Sequence, residues 1–260
     1  MANKILEKTL NNVDSADLQA GYAAPQADGT GPVLPSSATS SGAMSIAGSA
    51  RAALFLLAIV FGVGAWAWSS VPDSAFGGVF FIALFAGLGL GFATAFKPTA
   101  ARITAPLYAA AQGVLLGMIS RIYEEAYEGI VIQAVLATAA IAFVMYTLYS
   151  TGIIKVTPGF RRTVMFATLG VFVFYMMNLF LSIFGVNMPL IWDTGVLGIG
   201  FSILVIAIAS ANLALDFDFI EQGSQAGLPK YMNWAAAFGL VASLIWIYLE
   251  ILRLLAKLRE

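Results

Sequence analysis

The chain contains no cysteine and no histidine. Without cysteine there are no disulfides, thiolate nucleophiles or thiolate metal sites. Without histidine the commonest metal ligand and the side chain that titrates near neutral pH are both missing. Proton or cation chemistry therefore falls to carboxylates. Charge is scarce as well: Asp, Glu, Lys and Arg make up 10% of the 260 residues, about 40% of the usual share. A net charge of −1 without a clustered basic face argues against a nucleic-acid partner. No phosphate-binding loop, zinc-protease helix or Gly-x-Ser-x-Gly elbow is present, so neither catalysis nor a bound cofactor is expected.

Apolar side chains fill the gap, at 60% of the sequence. A water-soluble fold of this length would leave much of that surface wet. A bilayer removes the difficulty, and the apolar residues fall into runs near the spanning length of about 20 residues. Seven runs are expected: Ala52–Trp68, Phe76–Phe96, Ile103–Ile122, Gly129–Tyr149, Thr163–Phe184, Thr194–Leu215 and Ala235–Leu255. They are too long for strands and do not alternate. Backbone amides in lipid must be satisfied within the segment, so each run is expected to be a helix. The expected class is an all-α integral membrane protein with seven transmembrane helices over residues 46–260.

Residues 1–45 read differently. Asn11 to Ala43 is rich in Gly, Ala, Ser, Pro and Asp. Such a segment buries too little to offset its ordering entropy and is expected to be a disordered tail, with a transient helix at Lys4–Leu10. No apolar core follows the first lysines, so a cleaved signal peptide is not expected. Basic residues set the orientation. Lys4, Lys8, Arg51, Lys97, Arg102, Lys155, Arg161, Arg162 and Lys230 fall on the tail's side, whereas the other side's loops hold Arg121 with Asp73, Glu124, Glu125, Glu128 and Asp193. The tail is therefore expected in the cytoplasm. Seven crossings then leave Arg253, Lys257 and Arg259 outside, against the same rule.

Polar groups inside apolar runs carry most of the functional information, since an intramembrane ionisable group is costly. Glu250 lies among large apolar side chains, with Arg253 three residues on and able to pair with it on one helix face. The pair is either a buried functional carboxylate with its partner or an interfacial pair snorkelling to water. Asp216 and Asp218, at the end of run six, point to different helix faces. They are either solvated boundary carboxylates, or groups that could share a proton or offer hard oxygen ligands to calcium. Asn178, Ser182 and Asn212 are expected to tie helices together, and Gly87, Gly89, Gly91, Gly113 and Gly117 to allow close backbone approach. Glu124, Glu125 and Glu128 read as a solvated acidic loop or as an acidic mouth that could concentrate cations.

Several stretches carry a family resemblance: Gly129-Ile-Val-Ile-Gln-Ala-Val-Leu-Ala-Thr138, Leu148-Tyr-Ser-Thr-Gly-Ile-Ile-Lys155, Val156-Thr-Pro-Gly-Phe-Arg-Arg162, Leu213-Ala-Leu-Asp-Phe-Asp-Phe-Ile-Glu-Gln-Gly223 and Tyr248-Leu-Glu-Ile-Leu-Arg-Leu-Leu255. With them the region Met44–Glu260 resembles the Bax-inhibitor, or transmembrane Bax-inhibitor-motif, family and its bacterial YccA-like branch. The resemblance implies six helices around a central final helix, in a bacterial inner membrane. It implies a pH-sensitive calcium or cation leak whose sensor is a carboxylate ending helix six and another inside helix seven, sharing a proton. Asp216, or alternatively Asp218, matches the first, and Glu250 the second. Calcium is then the permeant ion, with Asp216 and Glu250 as its ligands. A basic latch ending helix two is implied at Lys97 or Arg102. The alternative function is a membrane-embedded regulator that binds a protease or translocation complex through its tail and conducts nothing.

Overall fold

A computed structural model describes residues 42–184 and 194–260. The tail and its Lys4–Leu10 helix lie outside those residues, as does Asp193. The packed body begins at Gly42, before the expected boundary at 46: Ala43 bridges to Pro229, and Met44 is buried.

Seven long helices follow in chain order: α1 (Ile46–Ser70), α2 (Phe76–Phe96), α3 (Ala101–Ala126), α4 (Ile130–Ser150), α5 (Pro158–Ile183), α6 (Val196–Gln225) and α7 (Met232–Arg259). All seven are long and apolar enough to cross a membrane. Most outrun the hydropathy runs that announced them, because polar caps and end turns add length without adding hydropathy. Ser45 caps α1 by accepting from the Gly48 amide, and Thr157 caps α5 ahead of Pro158. The largest extension is in α6, which continues through Asp216 and Asp218 to Gln225. At 1.5 Å per residue its 30 residues span about 45 Å, well beyond the hydrocarbon core.

The last helix is one uninterrupted span of 28 residues, with no re-entrant break. It is also the most buried of the seven. Ala237, Val241, Ile247 and Leu252 are fully enclosed, and α7 touches each of the other six helices, reaching α5 through Tyr175. The arrangement is six helices around a central seventh. The tightest pair around it is α1 with α3. A Cβ at Gly113 would lie 2.8 Å from the Val60 carbonyl oxygen, and one at Gly117 would overlap the Gly64 carbonyl. Small residues here let two backbones touch, and packing then holds the helices together. The expectation fails at Gly89, which faces open space.

The three basic residues that broke the charge rule are all engaged by protein. Arg253 pairs with Glu250, Lys257 donates to the Gly198 carbonyl and the Ser202 hydroxyl, and Arg259 donates to the Glu128 carbonyl and to Gln133. Charges absorbed in this way are part of the packing, whereas the orientation rule counts charges free in loops.

Candidate functional site

The hairpin of α6 and α7 sets the geometry of the carboxylates. Its helices run antiparallel from a turn at Ala226–Tyr231, so residues equally far from the turn meet. Asp216 meets Ser243, whose hydroxyl donates to Oδ2 at 2.6 Å. The contact is close because α7 carries glycine one turn earlier. A Cβ at Gly239 would lie 2.9 Å from Asp216 Oδ1.

Glu250 is seven residues beyond Ser243, so it lies about 10 Å further along α7. The Asp216–Glu250 pair expected to share a proton is therefore not formed. Two carboxylates so separated do not fit one calcium ion either, since its ligand distances are about 2.3–2.6 Å. Among the described residues no group of three or more Asp and Glu gathers into a metal site. Instead Glu250, only 1% exposed, accepts from Arg253 Nη1 at 2.8 and 2.9 Å and from the Tyr175 hydroxyl at 2.7 Å. Arg253 Nη1 also donates to the Tyr175 hydroxyl at 2.7 Å. Glu250 is thus buried with a half-buried Arg253 beside it, and the pair is closed by a tyrosine from α5.

Asp218 is no substitute partner for Glu250. The two-residue step turns it away from α7 and toward α5, where Arg161 Nη2 donates to it at 2.6 Å. Gln222 donates to both of its oxygens at 2.8 Å. It is 6% exposed and so is not a solvated boundary group, whereas Asp216 is half-buried. Nearby, the Tyr149 hydroxyl donates to Glu221 at 2.5 Å and ties α4 to α6.

The implied latch is also absent. Lys97 caps α2, and Arg102 sits in the first turn of α3. Both are exposed, and neither side chain has an ion pair or hydrogen bond among the described residues. The helix ties fare better: Asn212 donates to Thr168 Oγ1 at 2.8 Å across the α5–α6 contact. The acidic group after α3 is structural in part. Glu124 accepts from the Gly129 and Val131 amides at the start of α4, and Glu125 pairs with Arg121, which also holds Asp73.

Sequence reading missed Ser243, Tyr175 and Thr168, and it read Arg161 as a topology charge alone. Counting outward from the α6–α7 turn would have found Ser243. Nothing local marks Tyr175, whose role depends on where α5 packs.

Among the described residues seven bilayer-length helices, six of them around a buried, carboxylate-bearing seventh, define a multi-pass membrane protein. A family model described as Bax inhibitor 1 like matches residues 7–260, so the chain belongs to that family. Neither a curated protein nor a solved structure matches it.

Proposed function

We propose that the protein is a pH-sensitive cation leak, with calcium as a permeant ion, gated where α6 meets α7 at Asp216. One observation supports this above the others. Of Asp216, Asp218 and Glu250, only Asp216 has no cationic partner among the described residues; it faces the Ser243 hydroxyl. Protonating Glu250 or Asp218 would strand a guanidinium beside it. Protonating Asp216 strands no charge. It turns a charge-assisted hydrogen bond into a neutral one of roughly half the strength. That loosens the α6–α7 contact beside Gly239.

The sign follows directly. The ionised form holds the helices together at high pH, and the tie weakens as pH falls. The leak operates without catalysis, in a bacterial cytoplasmic membrane with the N-terminus inside, as the excess of Lys and Arg on that side supports.

The test is calcium flux through the purified protein in liposomes from pH 8 to pH 5. Wild type should pass more calcium as pH falls. Asp216→Asn, neutral at every pH, should pass calcium at a high rate throughout. Ser243→Ala should raise flux at pH 8. No wild-type flux at any pH, or an unchanged pH profile in Asp216→Asn, would overturn the reading.

A further inference from the structure

The helix α5 is held to the bundle largely by polar ties. Arg161, Thr168 and Tyr175 recur at intervals of seven, which places them on one stripe of α5. Each makes a polar tie inward. Arg161 meets Asp218 of α6 at 2.6 Å, Thr168 meets Asn212 of α6 at 2.8 Å, and Tyr175 meets Glu250 and Arg253 of α7 at 2.7 Å. Only two valines, Val164 and Val171, are buried between these layers among the described side chains of α5. The opposite face, with Phe166, Leu169 and Phe180, is exposed as a lipid-facing surface.

The contrast with α1 and α3 is chemical. Those helices touch backbone to backbone at Gly64, Gly113 and Gly117, and separating them gives up close packing with no replacement. Polar ties across a membrane interface are individually weak. Water exchanges for a protein hydrogen-bond partner at small net cost. An interface held mainly by such ties, with Phe174 and Tyr175 against Phe201 of α6 as its aromatic packing, opens to water more readily than one made of backbone-to-backbone contact. Asp216 and Asp218 sit two residues apart and face different neighbours. A rotation of α6 released at Asp216 therefore pulls directly on the Asp218–Arg161 tie.

We propose that the seam joining α5 to α6 and α7 parts to admit water, and that the parted seam is the path taken by the permeating cation. This rests on the leak reading for the cation, though not for the opening itself. In the closed protein the three ties shut the path, and α5 is the element that moves.

The absence of cysteine gives a clean background for the test, made on the full chain in liposomes. Thr168→Cys with Asn212→Cys places two thiols across the seam for oxidation to a disulfide. Oxidation should lower calcium flux at pH 5 at least tenfold, and dithiothreitol should restore it. Separately, Val171→Cys should react with a charged, membrane-impermeant thiol reagent at pH 5 and stay inert at pH 8. Leu169→Cys on the lipid face should stay inert at both. Undiminished flux through the oxidised pair, with Val171→Cys inert, overturns the seam as the path and leaves the leak reading standing. Labelling of Val171→Cys without flux from any protein supports the parting and overturns the leak. Inert Val171→Cys with no flux overturns both.

Discussion

Removing one member of the Glu250–Arg253–Tyr175 cluster should cost very different amounts depending on which member goes. Arg253→Leu leaves a carboxylate that is 1% exposed facing a single tyrosine hydroxyl. Breaking a buried ion pair from one side typically costs about 3–5 kcal/mol. Tyr175→Phe removes one hydroxyl while Glu250 and Arg253 keep each other, a loss of about 1 kcal/mol. Replacing both charged residues together, Glu250→Leu with Arg253→Leu, leaves no stranded charge and should fall within about 1 kcal/mol of wild type. For a body of this size about 1 kcal/mol moves the midpoint by roughly 2–4 °C. Thermal unfolding in detergent should therefore drop by roughly 6–20 °C for Arg253→Leu and about 2–4 °C for Tyr175→Phe, with little change for the double variant. A double variant as unstable as Arg253→Leu would refute the argument, because the cost would then come from lost packing around Arg253 and not from the orphaned carboxylate.

Other outcomes follow from single contacts. Gly117→Ala forces a methyl into the Gly64 carbonyl and should destabilise by about 1–3 kcal/mol or more, whereas Gly89→Ala meets open space and should be neutral or slightly stabilising in the same melting assay. Glu124→Ala uncaps α4 by removing the acceptor for the Gly129 and Val131 amides, and should cost about 1 kcal/mol. Seven crossings place the chain's ends on opposite sides, so reporters fused at Met1 and after Glu260 should show opposite accessibility. The same accessibility at both ends would mean that one of the seven helices does not cross.

The seven spans were legible because hydropathy is a local property, and lipid leaves a backbone few ways to cross except as helix. Phe76–Phe96 was read to the residue. The end of α6 was misplaced by ten residues because its last three turns are polar. The Glu250–Arg253 pair was legible for the same local reason: three residues on one helix are neighbours whatever else the chain does. Asn212 as a tie between helices was legible in kind, though Thr168 as its partner was not.

The partner of Asp216 depended on something else. The family resemblance paired Asp216 with Glu250, but their heights along an antiparallel hairpin differ by about two turns. Ser243, an inconspicuous residue, holds the matching height. The sequence by itself determined the class, the number of spans and the few places where charge enters the apolar region, because each depends on residues close together in the chain. Only the tertiary structure decided which charge meets which neighbour on another helix. Those contacts depend on helix rotation, relative height and the side of the bundle on which α5 docks, and they are settled by packing among residues far apart in sequence.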